Sequence, residues 1–148
     1  MMAFTLTSPA FATGRPIPRR HTCDGENLSP ALSWSAPPPS THSLALVVDD
    51  PDAPIGVFTH WLAWGIDPDT GTLPEGQPAP VEGRNDFGTV GYRGPCPPRS
   101  HGPHRYVFRL YALGADPELA PGAGKPELER ALRGQVLGIA ELVGTYQR

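Results

Sequence analysis

The sequence predicts a mostly β protein, an antiparallel β-sandwich with one or two short helices. Apolar segments of strand length recur along the chain, and they are rich in β-branched and aromatic residues. Turn-forming residues separate them, since the 148 residues include 17 glycines and 20 prolines. A single late segment has the spacing of a helix. A chain of this length is expected to form one domain, residues 1–148, with a sizeable core.

Charge and composition exclude two classes of partner. A formal net charge of −3 argues against a nucleic acid or an anionic membrane surface. No apolar run is long enough to be an integral membrane segment. The N-terminus lacks the basic and apolar regions of a secretory signal, so we predict a cytoplasmic protein.

The two cysteines, Cys23 and Cys96, leave two alternatives open. They are too few and too far apart to form a zinc site by themselves. In a reducing compartment buried free thiols are favoured, whereas a single disulfide would join two loops. The sequence does not decide between these states.

The segment 43–49 is the central strand of the prediction. It contains Leu44-Ala45-Leu46-Val47-Val48, a continuous apolar run typical of a strand buried on both faces. Three carboxylates follow in Asp49-Asp50-Pro51-Asp52-Ala53-Pro54, where two prolines restrict the backbone. Such a corner either ends a strand and keeps its edge soluble, or presents polar groups to a ligand. A cis proline would suit its rigid geometry.

The remaining elements follow from apolar alternation and turn residues. The long loop 67–84 is expected to be functional or mobile. A helix is expected between Gly124 and Gly134, with Pro126 in its first turn. The other predicted strands are 4–8, the edge segment 15–18, 32–34, 58–66, 104–113 and 136–146.

Several polar residues lie beside the predicted apolar strands, where contact with solvent alone is a poor explanation for them. Asp50, Asp52, His60 and His104 are in such positions, and the corner around Gly94 offers backbone amides. Two imidazoles can donate to a phosphoryl oxygen, while a carboxylate can orient one of them and favour its imidazolium form. Tyr106 would add a hydroxyl beside the same site. The remaining histidines lie in polar loops and are expected at the surface: His21, His42 and His101.

The same residues allow a second interpretation, a metal-assisted or acid–base hydrolase using Asp50, His60 and His104. Two histidines and a carboxylate match a non-haem iron triad in kind, although no two of them lie close together on one element. The sequence has no Gly-x-Ser-x-Gly motif, no phosphate-binding loop and no dinucleotide fingerprint. We therefore expect no metal, no cofactor and no catalytic turnover.

The order of the motifs resembles the phosphatidylethanolamine-binding protein family, in its bacterial branch of Raf-kinase-inhibitor-like proteins. The resemblance covers essentially the whole chain. Its most specific parts are the Asp-Pro-Asp-x-Pro and Gly-x-His-Arg motifs. The matching segments are Cys23-Asp24-Gly25-Glu26-Asn27-Leu28-Ser29-Pro30, Leu32-Ser33-Trp34, Asp50-Pro51-Asp52-Ala53-Pro54, His60-Trp61, Gly94-Pro95-Cys96-Pro97-Pro98, Gly102-Pro103-His104-Arg105-Tyr106 and Leu142-Val143-Gly144-Thr145-Tyr146.

This resemblance implies a β-sandwich with a small pocket for phosphate or phosphorylethanolamine-like groups. It implies a binding or regulatory protein, with a protein partner such as a kinase or protease, and a homodimer. By motif position, the ligand-binding residues carried over are Asp50, Asp52, His60, Gly94, His104 and Tyr106.

Overall fold

The computed structural model of the chain describes residues 3–148. Met1 and Met2, where the N-terminal prediction begins, lie outside these residues. The described part contains nine strands, one α-helix and a 3₁₀ turn at Arg19–His21. The elements are β1 Leu6–Thr7, β2 Arg15–Pro16, β3 Leu32–Trp34, β4 Ser43–Asp50, β5 Phe58–Ile66, β6 Thr72–Leu73, β7 Val81–Glu82, β8 His104–Leu113, α1 Lys125–Leu132 and β9 Val136–Tyr146.

The strands form two sheets, which confirms the mostly β prediction and corrects its detail. A small sheet has the order β1-β3-β6, and a large open sheet has the order β2-β9-β8-β4-β5-β7. The large sheet is mixed, because β2 pairs parallel to β9, with Arg15 opposite Gly144. The fold is therefore not a purely antiparallel sandwich. A two-residue edge pairing between distant segments leaves no alternation pattern from which its direction could be predicted.

The large sheet is covered on both faces, which explains the continuous apolar run in β4. Leu44, Leu46 and Val48 face the core shared with the small sheet. Ala45 and Val47 face the opposite side, where Leu128 and Leu132 of α1 pack. All eight residues of β4 are buried as a result. Successive side chains of a strand alternate between faces, so this strand can be apolar at consecutive positions.

The helix and the long strands agree with the sequence prediction. Helix α1 is preceded by Gly124, contains Pro126 in its first turn and is followed by Gly134 in a left-handed conformation, φ 76°. Strands β5, β8 and β9 have the predicted bounds. None of the helices in the described chain is long and apolar enough to cross a membrane.

The loops resolve three open points. The segment 67–84 contains two short strands, β6 and β7, rather than being wholly irregular. Among residues 3–148 no peptide bond is cis, so the prolines of the acidic corner have trans peptide bonds. Cys23 and Cys96 form a disulfide, so the alternative of two free thiols does not apply. The bond links the loop after the 3₁₀ turn to the proline-rich segment 94–98.

Candidate ligand-binding site

A pocket of about 390 Å³ opens where β4 ends and where β5 and β8 begin. Asp50, His60, His104 and Tyr106 supply its polar groups. The other lining residues are mostly apolar and come from the acidic corner, from β5 and from two later loops: Ala53, Pro54, Ile55, Phe58, Phe87, Cys96, Pro97 and Pro98. The pocket thus combines a small polar floor with apolar walls, a common form of small-molecule site.

Strand alternation brings three of the polar groups to the same face. Asp50 follows Leu44, Leu46 and Val48 on the face of β4 that meets the small sheet. His104 and Tyr106 occupy the corresponding face of β8, the next strand in the sheet. Because β4 and β8 are antiparallel, the end of one lies beside the beginning of the other. The continuation of the apolar core is therefore polar at this end.

A β-bulge turns His60 into the same pocket. Val48 lies opposite Trp61 and Asp49 lies opposite Thr59, so β5 has one extra residue at this point. Thr59 is directed to the helix side of the sheet, where its hydroxyl donates to Asp49. His60 lies on the pocket side, with its ring 5.3 Å from that of Tyr106. Simple alternation from Leu62 and Trp64 would have placed His60 on the other face.

The buried carboxylate of Asp50 orients His104. Nδ1 of His104 donates to Oδ2 of Asp50 at 2.6 Å, and the backbone amide of Asp52 donates to Oδ1 of Asp50 at 2.8 Å. Nε2 of His104 forms a hydrogen bond of 2.6 Å with Nδ1 of His101. The three side chains form a chain of hydrogen bonds from the buried end of β4 to an exposed loop.

The environment of His60 favours its neutral form. Nδ1 donates to the carbonyl oxygen of Arg93 at 2.7 Å, which leaves Nε2 as the acceptor nitrogen of a residue that lines the pocket. Burial lowers the pKa of His60, and this effect exceeds the opposing effects of the Arg93 carbonyl and of the charges of Asp50, Asp49 and Asp86. The histidine that Asp50 orients is His104 rather than His60.

Tyr106 presents an unused hydroxyl group. Its oxygen is buried and has no hydrogen-bond partner within residues 3–148. Burial raises the pKa of Tyr106, and the nearby carboxylate of Asp50 raises it further, through its charge and as a hydrogen-bond acceptor whose geometry falls short of a well-formed bond. The hydroxyl therefore keeps its proton and remains a donor near neutral pH. A buried polar group without a partner is costly, so it is a natural contact for a ligand.

Asp52 and Gly94 lie next to the pocket and do not line it. Both oxygens of Asp52 accept hydrogen bonds from the guanidinium of Arg105, at 2.8 and 2.9 Å. This interaction lowers the pKa of Asp52 to about 2. The amide of Gly94 donates to the side-chain oxygen of Asn27 at 2.8 Å and is thus not free for an anion. A side chain at position 94 would overlap the carbonyl oxygen of His21.

The sequence did not predict the contacts that three residues make. Phe87 lines the pocket, with its ring 4.8 Å from Phe58 and the guanidinium of Arg93 5.1 Å from its centre. His101 was expected to be a surface residue without a role, yet it contacts His104. His21 was also expected at the surface and is only 2% exposed, with Nδ1 bonded to the carbonyl oxygen of Leu28. The contacts of Phe87 join distant segments, whereas His101 bonds a residue three positions away and His21 one seven positions away, through loop turns that show no regular periodicity.

Two structural features concern metal binding and the charge of the pocket lining. Within the described residues no group of three or more histidine, cysteine, aspartate or glutamate side chains is arranged to hold a metal ion. No lysine or arginine lines the pocket in this part of the chain. A ligand would therefore meet imidazoles, a hydroxyl and a carboxylate.

Comparison with known proteins identifies the family. The model of the phosphatidylethanolamine-binding protein family matches residues 7–147. The chain is 51% identical over 153 residues to a UPF0098 protein of Methanothermobacter thermautotrophicus, covering 97% of this chain and 98% of the relative. It is 44% identical over 146 residues to LppC of Mycobacterium tuberculosis, whose name classes it as a lipoprotein, covering 97% and 70%. A solved structure described as a phosphatidylethanolamine-binding protein homologue of Chlamydia trachomatis has a TM-score of 0.93 and 41% identity, and the match covers 99% of this chain and 98% of that one. The resemblance in the motifs is thereby confirmed, and the chain belongs to the phosphatidylethanolamine-binding protein family.

Proposed function

We propose that this protein binds a small phosphorylated or otherwise anionic ligand in the pocket of Asp50, His60, His104 and Tyr106, without chemical turnover. Family membership supports a binding role, because the family is named for binding and its members are generally binding proteins rather than enzymes. The observation that carries the proposal is the convergence of His60 Nε2 and the unpartnered Tyr106 hydroxyl in one pocket.

The protonation states define the ligand chemistry. Tyr106 donates a hydrogen bond, whereas neutral His60 accepts one through Nε2. A hydrogen phosphate or a phosphate monoester with one protonated oxygen satisfies both groups. A fully ionised anion requires His60 to gain a proton. The apolar walls formed by Phe58, Phe87 and Pro98 would cover a carbon substituent attached to the phosphoryl group.

Protonation of His60 also predicts how binding depends on pH. A fully ionised anion favours the imidazolium, while burial favours the neutral ring, so binding of such an anion is coupled to proton uptake. The affinity for a fully ionised anion is therefore expected to fall as the pH rises from 5.5 to 8. Sulfate is the sharpest probe, since its charge is constant over this range and any change must come from the protein.

The test is a calorimetric titration with sulfate, inorganic phosphate and O-phosphorylethanolamine at pH 5.5 and 8. The wild type is compared with His60→Ala and with a control, His42→Ala, which changes an exposed histidine beyond the far end of β4. We expect binding in the wild type and the control that is stronger at pH 5.5, and loss of binding in His60→Ala. Absence of binding in every protein, or equal binding in all three, would refute the proposal.

A further inference from the structure

Both ring nitrogens of His104 are occupied by protein groups. Nδ1 donates to Asp50 and Nε2 is bonded to Nδ1 of His101, each at 2.6 Å. A ligand can therefore form a hydrogen bond with His104 only by replacing one of these partners. In contrast, His60 and Tyr106 also line the pocket, and neither Nε2 of His60 nor the hydroxyl of Tyr106 makes a well-formed hydrogen bond to the protein among residues 3–148.

The bond to Asp50 is the more firmly held of the two. Asp50 is buried, and its other oxygen is fixed by the backbone amide of Asp52. Breaking this bond would leave a buried charge without its partner, which is strongly unfavourable.

The bond to His101 can be exchanged at little cost. His101 is exposed, as are its neighbours Arg99 and Ser100. The backbone of this segment is held by two hydrogen bonds, from His101 to Pro98 and from Ser100 to Arg148, of 3.2 and 3.1 Å. Ser100 has φ 64° and Gly102 has φ 87°, so the residues on either side of His101 are in turn conformations and not in a regular strand or helix. The ring of His101 packs against that of His104, with 4.8 Å between the ring centres, so moving it into solvent uncovers Nε2 of His104.

We propose that His101 is a further residue of the ligand site, one that sets its affinity by occupying Nε2 of His104 until a ligand oxygen replaces it. The replacing oxygen is a protonated one that donates to Nε2 of the neutral ring, or an ionised one that accepts from the protonated ring. This inference rests on the proposed function, because the competing ligand is the same anion. Binding then proceeds at His60 and Tyr106, which are free, and displaces His101 from His104. The exposed imidazole leaves the site while the Asp50–His104 pair stays in place.

Competition gives the effect of a substitution a definite sign. A residue that only contacts the ligand would lower the affinity when it is removed, whereas a residue that competes with the ligand raises it. Loss of one competing hydrogen bond is expected to tighten binding by about five- to tenfold. Because His101 is exposed, its replacement by alanine should leave the fold intact.

The experiment is a calorimetric titration of the wild type, His101→Ala and the control His42→Ala with inorganic phosphate at pH 6. In parallel, ¹⁵N NMR of the imidazole rings follows whether phosphate releases His101 from its hydrogen bond. We expect about five- to tenfold tighter binding in His101→Ala alone, and a shift of the His101 ring signals in the wild type towards those of a solvent-exposed imidazole at saturation.

The outcomes separate this inference from the function on which it rests. Wild-type binding with equal or weaker binding in His101→Ala overturns the role of His101 and leaves the anion site standing. Ring signals of His101 that stay unchanged at saturation overturn it as well. Absence of phosphate binding in all three proteins overturns both.

Discussion

Nδ1 of His104 donates a 2.6 Å hydrogen bond to Oδ2 of Asp50, and both side chains are buried. The bond joins the last residue of β4 to the first residue of β8. It lies at the point where the core between the sheets changes from apolar to polar. Its energetic contribution can be compared with that of the nearby exposed pair, Asp52 and Arg105.

Asp50→Ala is expected to destabilise the protein much more than Asp52→Ala. The first change leaves buried hydrogen-bond donors on His104 and on the backbone of Asp52 without a partner, which costs about 3 kcal/mol or more. The second breaks an ion pair whose arginine is exposed, which costs about 1 kcal/mol or less. Urea unfolding of both variants measures the difference. Equal losses of stability would show that the buried pair has no special role.

Much of the fold was predictable because its signals are local. Strands β5 and β8 are rich in apolar, aromatic and β-branched residues, and α1 has Pro126 in its first turn and glycines on both sides at the expected positions. The burial of β4 on both faces of the sheet was predictable from its continuous apolar run. In each case a residue and its sequence neighbours contain the information.

The site was less predictable because its geometry depends on pairing between distant segments. The bulge that directs His60 into the pocket is a property of the register between β4 and β5. The ion pair between Asp52 and Arg105 depends on where two distant segments fold. The contact between His101 and His104 depends on the turn between them, where Gly102 has φ 87°. Residue types identified the polar groups that meet, while only the structure separates those in the pocket from those beside it.

Tyr106→Phe is expected to weaken ligand binding without weakening the fold. The hydroxyl has no protein partner among the described residues, so its removal relieves an unsatisfied buried group and should leave the free energy of unfolding unchanged or raise it by up to about 1 kcal/mol. The same change removes a donor from the pocket, and phosphate affinity should fall by about five- to tenfold. Urea unfolding and calorimetry test the two parts. A clear loss of stability would mean that the hydroxyl has a structural partner.

His60 should make the stability of the protein sensitive to mild acid. Its pKa is lowered in the folded state, so the unfolded chain binds the proton more readily. The corresponding stability is fully present above the unfolded pKa of about 6.5 and is lost as the pH falls through the lower folded value. Between pH 7.5 and 5, the free energy of unfolding should fall more in the wild type than in His60→Gln. Parallel curves for the two proteins would contradict this.

Asp52 should affect the stability of the protein at a lower pH than His60 does. The Arg105 guanidinium lowers its pKa to about 2, so its stabilising effect is present above pH 4 and is lost as the pH falls towards 2. Asp52→Asn should therefore be less stable than the wild type at pH 6, and the two proteins should converge near pH 2. A difference that persists at pH 2 would assign the effect to packing rather than to charge.

Reduction of the Cys23–Cys96 disulfide should lower stability while leaving the ligand site formed. The bond closes a segment of 73 residues, and its loss is expected to cost about 3–4 kcal/mol, chiefly by freeing the unfolded chain. Cys96 lines the pocket, yet its corner is also held by hydrogen bonds from Gly94 to Asn27 and from the amide of Cys23 to Pro95. Urea unfolding with and without a reductant should show the loss of stability, and calorimetry of the reduced folded protein should show little change in phosphate affinity. The double variant Cys23→Ser/Cys96→Ser is the control and should not respond to the reductant. If reduction abolished binding in a folded protein, the disulfide rather than the hydrogen bonds would position the pocket wall.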